Sequence, residues 1–522
     1  MNPTGAGFTS PGECINLAGL QSHYTIAMTP TRTCALLASL LLAACDAPAP
    51  PATTEATPAP AAAKPAALPR HTPGERRWLA GDHHVHSRYS VGWDENQDPP
   101  APIIAGDAVY PIPMNALMGR YHGLSWMVAT DHGGPQHSRV NLEMAYPELL
   151  LSRRAVPEVI QFYGMELDSP AADHSSIIIP QSEGEAQQLF ELESRFDPLD
   201  RWPPEPARNV PELMLEGLRA MDAMTPKPVV FAHHPSRSAT GPDAYGRDEP
   251  AELRDWNDAA PQVAVGMEGA PGHQASALAP DGSPTRDEPR GYYTDHPTFG
   301  GFDDMTARLG GFWDSMLGEG RRWWITANSD AHQHYTEGGV DFWPGEYSKT
   351  WVLADGSYED VLDGLRHGRI FVSTGDLVTE LYLAATAGGE QVGIGGELLV
   401  PAGAAVDISV RFLDPDAPNF RGDTPQVQRV DLILGEVHGP ATDRTLDRNP
   451  TTRVLARWSE ADWQSEGDYR VITYRLPALE GPVYLRLRGT NTTQLEPDPD
   501  PLLEDPWTDL WFYSNPVFIT PE

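Results

Sequence analysis

The sequence predicts an α/β fold for residues 71–380 and an all-β fold for residues 381–522. In the first segment short apolar runs alternate with helical patterns, which is typical of an α/β barrel or an open parallel sheet. From about Glu380 apolar residues recur at every second position, which indicates an antiparallel β-sandwich. A chain of 522 residues with 40% hydrophobic residues is long enough for two such domains.

Residues 1–45 have the features of a leader that contains a signal peptide. Met28 is the expected translation start, Arg32 supplies the positive charge, and an apolar run extends from Cys34 to Ala44. Spanning a bilayer takes about 20 apolar residues. We therefore expect this short run to be cleaved as a signal peptide.

The cleavage point resembles a bacterial lipoprotein box, Leu42-Ala43-Ala44-Cys45. All three cysteines of the chain lie in the leader, and we expect Cys45 to be the lipid attachment site. Residues 46–70 are rich in Pro, Ala and Thr, a composition that favours an extended spacer. Asp46 resembles the signal that retains lipoproteins at the inner membrane. We expect a lipid-anchored protein at the cell envelope, with its folded part in the periplasm.

The charge of the chain excludes one class of partner. The formal net charge is -36, with 73 acidic and 37 basic residues and no basic cluster. Nucleic-acid binding requires a concentrated positive surface. We therefore expect no nucleic-acid partner.

Seven apolar runs predict the strands of the first domain, and amphipathic patterns predict helices between them. One helical face is formed by Leu213, Leu218, Met221 and Met224, and another lies between Met305 and Leu317. The runs are SWMVA (125–129), EVIQFYG (158–164), SSIII (175–179), PVVFA (228–232), QVAVG (262–266), RWWIT (322–326) and KTWVLA (349–354).

Polar residues of the metal-binding type follow these predicted strands. Active sites of α/β barrels lie at the C-terminal ends of the strands, because the loops converge there. We therefore expect these residues to form one site. The motifs are DHHVH (82–86), TDHGG (130–134), MELD (165–168), HHPSR (233–237), MEG (267–269) and NSDAH (328–332).

Strand alternation selects which of these side chains share a face. Asp82, His84 and His86 point to one side, whereas His83 points to the other. The same two-residue spacing recurs in Asp330-Ala331-His332. Imidazole and carboxylate are typical ligands of zinc, manganese or iron. The spacing therefore predicts a catalytic metal site, while alternation leaves open which histidine of the pair at 233 and 234 is a ligand.

Isolated histidines are expected to be structural. A single histidine is more often a core or surface residue than a ligand. We assign this role to His122, His137, His273, His296, His334 and His367.

In this order, the motifs DHHVHS, TDHGG, GMELD, AHHPSR and NSDAH resemble those of the polymerase-and-histidinol-phosphatase (PHP) superfamily of metal-dependent hydrolases. The resemblance covers about residues 78–380. It implies a distorted (β/α)7 barrel of the TIM type with two or three divalent transition-metal ions at its mouth. It also implies that Glu166 bridges two ions and selects His234 from the adjacent pair. The implied ligands are His84, His86, His132, Glu166, His174, His234, Asp330 and His332.

One motif departs from the family pattern. Many members carry a metal-binding residue in a turn such as Ser-Asp-Gly after the first motif, whereas this chain has Ser90-Val91-Gly92. Asp94 is the candidate substitute for the missing ligand.

The C-terminal domain is expected to have a structural role. Its alternating runs contain no cluster of metal-binding residues, so we expect it to pack against the first domain and shape the rim of the site. The predicted strands are VDISVRF (406–412), RVDLIL (429–434), RVLARW (453–458), YRVITYRL (469–476) and VYLRLR (483–488).

The preferred function is hydrolysis of a phosphoric ester of a small molecule, with a metal-bridging water as the nucleophile. Arg237 is the candidate to hold the substrate oxyanion, and Asp131 either steers a proton or orients His132. The first alternative is hydrolysis of a carbamate or carboxylic ester at the same metals. The second is a metal-binding envelope lipoprotein without turnover.

The lipid anchor is testable through Cys45. Replacing Cys45 by Ser should block acyl labelling and leave an uncleaved precursor, because the thiol is the attachment point. A fragment from Arg70 onward should keep its activity, since every expected metal ligand lies at or after His84. Wild-type protein that takes up no acyl label and fractionates as soluble would contradict the anchor.

Overall fold

The structure is a computed structural model that describes residues 75–241 and 244–522. The expected leader (1–45), with Cys45, and the expected spacer (46–70) lie outside the described residues. Among the residues described, no helix has the length and apolar character needed to cross a membrane.

The first part of the described chain contains the strands that carry the polar motifs. Each of the seven apolar runs lies in or overlaps a strand. The strands are β1 (Arg77–Val85), β2 (Gly92–Asp94), β3 (Ala101–Ile103), β4 (Trp126–His132), β5 (Ile160–Asp168), β6 (His174–Ile179), β7 (Val229–Ala232), β8 (Ala264–Ala270), β9 (Trp324–Ala327), β10 (Ser348–Ala354) and β11 (Ile370–Thr374).

The helices are short and lie between these strands. The apolar face predicted between Met305 and Leu317 is divided between two helices, because Gly310 has a positive φ of 71° and interrupts the helical backbone. The helices are α1 (Ile112–Tyr121), α2 (His137–Val140), α3 (Tyr146–Ala155), α4 (Glu185–Phe196), α5 (Pro211–Asp222), α6 (Pro250–Ala259), α7 (Asp304–Ala307), α8 (Phe312–Gly318) and α9 (Tyr358–Arg366).

The rest of the chain is built of strands, and the predicted period-two runs lie in them. They are β12 (Glu380–Ala387), β13 (Glu390–Val392), β14 (Glu397–Val400), β15 (Val406–Leu413), β16 (Arg429–Glu436), β17 (Arg453–Trp458), β18 (Gln464–Glu466), β19 (Tyr469–Leu476), β20 (Val483–Thr490), β21 (Trp511–Ser514) and β22 (Val517–Pro521).

Most of these strands belong to one mixed sheet of 15 strands. Its main path has the order β14-β22-β20-β21-β11-β10-β1-β4-β5-β6-β7-β8-β9, and β16 and β17 are attached through β20. The strands β1, β4 and β5 are parallel, as are β7, β8 and β9. Between the two parallel groups, β6 is antiparallel to both of its neighbours.

The predicted fold class, a (β/α)7 TIM-like barrel followed by a distinct all-β sandwich, is therefore wrong. A barrel of that type needs parallel strands that close on the first one. Here β10 pairs antiparallel with β1. Within the described residues the end of β1 and the segment after β9 share no strand ladder, and their backbone pairing is limited to an isolated bridge, Val85 to Ala331. The sheet also continues through the ladder between β11 and β21 into the C-terminal strands. Apolar runs predict strands but do not fix their direction or neighbours.

The two larger of three hydrophobic cores among the described residues lie against this sheet. The first packs α-helices on the strands that carry the motifs, and includes Trp126, Phe162 and Trp324. The second lies between the C-terminal part of the large sheet and a five-stranded antiparallel sheet of order β13-β12-β15-β19-β18. The predicted boundary between residues 380 and 381 falls at the start of β12.

A buried ion pair connects α8 to β20 across the first core. The Arg486 guanidinium donates to both carboxylate oxygens of Asp314, from Nε at 2.9 Å and from Nη2 at 2.8 Å. The hydroxyl of Tyr484 donates to the same carboxylate at 3.0 Å. Both charged side chains are almost completely buried, so each depends on the other for compensation.

We predict that Asp314→Ala lowers the free energy of unfolding by about 3–5 kcal/mol, because it leaves the buried Arg486 charge without its partner. Urea unfolding followed by tryptophan fluorescence measures the change. The exposed pair of Arg475 and Asp407 provides the control, and Asp407→Ala should change the value by no more than about 1 kcal/mol. Equal effects of the two substitutions would contradict the role of the buried pair.

Candidate metal centre

Glu166, near the end of β5, lies at the centre of the polar motifs. It is 1% exposed, and its carboxylate oxygens lie within 3.4 Å of the ring nitrogens of six histidines. The distances are 3.1 Å to His84, 3.3 Å to His86, 2.8 Å to His132, 3.1 Å to His174, 2.7 Å to His233 and 3.4 Å to His234.

A second carboxylate, that of Asp330, contacts two histidines of this group. Its Oδ1 lies 3.0 Å from Nε2 of His84 and 3.1 Å from Nε2 of His86, and the two Nε2 atoms are 2.9 Å apart. Ligand atoms about 2.0 Å from a tetrahedral ion are separated by about 3.3 Å. The observed spacings, together with the oxygens of Glu166, are close to that value. This donor set therefore fits a divalent transition-metal ion.

Orphaned polar atoms provide a second test of the fit. Oε2 of Glu166 lies 2.8 Å from Nδ1 of His132, but the angles do not make a hydrogen bond with it or with another described residue. Nδ1 of His174 and Nδ1 of His234 are likewise buried without a hydrogen bond among the described residues. Burying such atoms without a partner costs free energy. Ligation of an ion would offset this cost at Glu166, so the orphaned carboxylate oxygen supports a metal centre.

The charge states of the cluster favour a cation. Burial would raise the pKa of Glu166, but the imidazoles of His132, His174 and His84 lower it well below the usual range of a carboxyl group. Burial would likewise raise the pKa of Asp330, but its contacts with His273, His84 and Arg237 lower it well below its usual range. Both carboxylates are therefore ionised at neutral pH, as metal ligation requires.

The pKa of His84 shows the same concentration of negative charge. Burial would lower this pKa, but Asp330, Glu166 and Glu268 raise it well above the usual range of an imidazole. Three carboxylates thus attract a positive charge to one position. Either a proton or a metal ion at Nε2 of His84 would supply this positive charge.

Further polar contacts orient the two histidines of the first motif. Nδ1 of His84 lies 2.7 Å from Oε1 of Glu268, and Nδ1 of His86 lies 2.8 Å from Oγ of Ser90. Such contacts hold the proton on Nδ1 and leave the Nε2 lone pair free for ligation. Glu268 belongs to the strand-end motif MEG, which the sequence analysis placed at the site without assigning Glu268 a role.

Asp131 acts on this arrangement from outside the cavity. It is 2% exposed, and its oxygens accept hydrogen bonds from the backbone N–H of Ser87 at 2.6 Å and from the Ser87 hydroxyl at 2.8 Å. The hydroxyl of Ser90 also donates to it at 3.2 Å. Because Ser90 contacts Nδ1 of His86 and accepts the backbone N–H of His132, Asp131 is linked to both histidines through Ser90, and it does not line the cavity.

In two motifs a histidine that is not an expected ligand lies beside one that is: His83 beside His84, and His233 beside His234. His83 is turned away from Glu166, with its ring nitrogens 2.9 Å from the Ser176 hydroxyl and 2.7 Å from the Thr326 hydroxyl. His233, which the resemblance did not select as a ligand, contacts both Glu166 and the hydroxyl of Ser176. The pair at 233 and 234 therefore brings both imidazoles to the same carboxylate.

His332 and His132 form a second group on the other side of Glu166. Their Nε2 atoms are 3.4 Å apart. Oδ2 of Asp107 lies 3.4 Å from His332 and 3.8 Å from His132. Asp94, the candidate from the sequence, is instead held in a surface turn by Asn96 and Gln97. Asp107 comes from a loop that carries no motif, so the sequence did not identify it.

His273 is a further residue that sequence reasoning missed. Its Nε2 lies 2.9 Å from Oδ2 of Asp330, and its Nδ1 contacts Asp341. Asp341 also accepts the backbone N–H of His332 at 2.7 Å. The other isolated histidines lie outside the cluster; His137, for example, is buried between Glu193 and the backbone oxygen of Tyr89.

Three of the nine non-glycine residues with positive φ among the described residues belong to the cluster. Asp330, His234 and His273 have positive φ values of 49°, 29° and 59°. Non-glycine residues in this region cost about 1–3 kcal/mol each and persist only where surrounding contacts fix them. At these three residues the contacts of the side chains hold the backbone in a conformation that is locally unfavourable.

A cavity of about 660 Å³ opens above the cluster. Glu166, His132, His174, His234, Asp330 and His332 line it, whereas His84 and His86 lie beneath it. Arg237 also lines the cavity and donates from Nη1 to Oδ2 of Asp330 at 2.9 Å. Its Nε and Nη2 have no hydrogen-bond partner among the described residues. Both nitrogens are thus buried donors without a partner, on a side chain that lines the cavity.

Comparisons with known proteins do not identify a family. No family model matches the chain, and no curated protein matches it. Among solved structures, the chain is similar to a chitin-binding domain from Burkholderia pseudomallei at 12% sequence identity and a TM-score of 0.15, over 24% of this chain and 57% of that domain. A similarity at this TM-score carries no argument about fold or ligand.

The placement of Asp107 is directly testable. We predict that Asp107→Asn weakens binding of one metal ion per chain by at least about tenfold, because the substitution removes a charged donor near His332 and His132. Zinc titration against a competing chelator measures the affinity. Asp94→Asn is the matched control and should leave every affinity unchanged. A loss of affinity with Asp94→Asn and none with Asp107→Asn would contradict this role of Asp107.

Proposed function

We propose that this protein is a metal-dependent hydrolase, with phosphoric esters as its preferred substrates. The observation that carries the proposal is the group around Glu166, in which imidazoles and carboxylates converge at the floor of an open cavity. The resemblance of the motifs to PHP-type hydrolases supports the same chemistry, while the proposal does not depend on a barrel.

The chain's residues divide into ligands and residues that position them. His84, His86, Glu166 and Asp330 would hold one ion, while His132, His174, His234 and His332, with Asp107, would hold one or two more. Zinc, manganese and iron all accept such donors. When bound, divalent ions polarise an ester and lower the pKa of water to about 7.

Arg237 favours a phosphoric ester over the alternatives. A guanidinium with free Nε and Nη2 donors matches the paired oxygens of a phosphate. Its third contact, to Asp330, fixes the guanidinium beside the cluster. Arg237 would thus bind the non-bridging oxygens of the ester and stabilise the charge that develops on them.

Location at the cell envelope is part of the proposal and depends on the leader alone. The lipoprotein-type sequence before Cys45 and the Pro/Ala-rich spacer support a protein tethered to the inner membrane with its cavity in the periplasm. The folded residues carry the proposed chemistry independently of that tether.

Paired chromogenic substrates test the reaction class. Protein loaded with zinc, manganese or iron should hydrolyse p-nitrophenyl phosphate faster than p-nitrophenyl acetate, and Asp330→Asn should abolish the reaction because it removes a charged ligand. Faster hydrolysis of the acetate would favour the carboxylic-ester alternative. No turnover of either ester by metal-loaded protein would favour the non-catalytic alternative.

Arg237→Gln should lower kcat for the phosphate ester by about 10²–10³, the usual effect of removing one donor from a developing oxyanion. Steady-state kinetics measures the loss. Metal content should remain that of the wild type, because Arg237 donates to Asp330 but offers no ligand atom. Unchanged kcat at full metal content would contradict the oxyanion role.

A further inference from the structure

A second arginine lines the same cavity without an ion pair. Arg247 is exposed and lies on the loop between β7 and α6, ten positions after Arg237. Among the described residues, its guanidinium makes no hydrogen bond or salt bridge. Other arginines near the motifs are paired, such as Arg153 with Glu185 and Arg88 with Glu148.

Carboxylates are abundant in this chain, yet none among the described residues pairs with Arg247. The chain has 73 acidic and only 37 basic residues, so carboxylates greatly outnumber cations. The nearby carboxylate of Asp173 is already engaged, because its Oδ2 accepts a hydrogen bond from the Ser238 hydroxyl at 2.8 Å. Arg247 helps to lower the pKa of Asp173, after the larger effects of burial, His234, His174 and Ser238. The two side chains are thus near each other without forming a salt bridge.

The backbone fixes Arg247 at the wall of the cavity. Its N–H donates to the Ser238 hydroxyl oxygen at 2.9 Å, and Ser238 in turn is bound to Asp173. Gly246 permits this approach, because a Cβ there would lie 2.3 Å from Oγ of Ser238. The position of Arg247 is therefore set by a local chain of contacts that ends beside His234.

The size of the cavity leaves room beyond a single phosphate. Its volume of about 660 Å³ lies in the range of sites that hold whole small molecules, about 300–1,000 Å³. Arg237 contacts Asp330 at the metal cluster, whereas Arg247 is exposed to solvent. A ligand that reaches from the cluster to the rim would meet both guanidiniums.

We propose that the substrate carries a second anionic group, a carboxylate or a second phosphate, which Arg247 binds while the ester lies at the metal cluster. This inference rests on the proposed function and narrows it to esters with two anionic groups. Arg247 then determines which esters are preferred, because an ester with only one anionic group cannot make the contact with Arg247. Simple electrostatic attraction of anions to the cavity is the competing explanation.

Two phosphonates that differ in one group separate these explanations. Metal-loaded, full-length protein is titrated calorimetrically with 3-phosphonopropionate and with propylphosphonate, which lacks the carboxylate. Wild-type protein should bind 3-phosphonopropionate at least tenfold more tightly, and Arg247→Gln should abolish that preference without changing the affinity for propylphosphonate. Arg154→Gln, which removes an exposed arginine of α3, should leave both affinities unchanged.

Three outcomes would overturn the proposal: equal binding of the two phosphonates by wild-type protein, no binding of either, or equal weakening of both by Arg247→Gln. Together with the turnover assay on p-nitrophenyl phosphate, the titrations also distinguish this proposal from the hydrolase proposal. Turnover of p-nitrophenyl phosphate without a preference between the phosphonates leaves the hydrolase intact and rejects the second anion site. A preference that depends on Arg247, without turnover, supports the anion site and rejects the hydrolase.

Discussion

The buried carboxylate of Glu166 is the constraint on which the site depends. An ionised group that is 1% exposed requires compensation, because burial without a partner carries a large desolvation penalty. The chain supplies it with six imidazoles drawn from β1, β4, β6 and the segment after β7. Two of their ring nitrogens, and one oxygen of Glu166, have no hydrogen-bond partner among the described residues. A bound metal ion would provide a partner for such lone pairs. The same requirement explains why residues such as Asp330 and His234 adopt strained backbone conformations.

Most of the candidate ligands that the structure brings together could be selected from the sequence, because they cluster at short spacings. Strand alternation separates His84 and His86 from His83, and the structure places His83 against hydroxyl groups on the other side of the strand. Local spacing cannot identify residues that reach the site from distant loops. Asp107 and His273 are of this kind, since neither belongs to a motif. Glu268 follows a predicted strand, but a lone carboxylate there has no local feature that separates a ligand-orienting residue from a structural one.

The fold was predicted less well than the site. Apolar runs located the strands, because burial on both faces of a sheet leaves a continuous hydrophobic signal. Strand direction depends on the connections: β5 returns directly into β6 through a short turn, which makes that pair antiparallel. The pairing of β10 with β1 is a contact between residues far apart in sequence. No pattern within either strand encodes it, so the barrel expectation failed where long-range pairing decides the topology.

The central claim is that Glu166 and Asp330 share bound metal with the surrounding histidines. Anomalous diffraction from crystals of zinc-loaded protein, measured at the zinc edge, tests it most directly. The account predicts two or three peaks in the cluster, with one about 2.0–2.2 Å from Nε2 of His84, Nε2 of His86 and an oxygen of Asp330. Zinc peaks confined to surface residues, with none within ligand distance of Glu166, would contradict it.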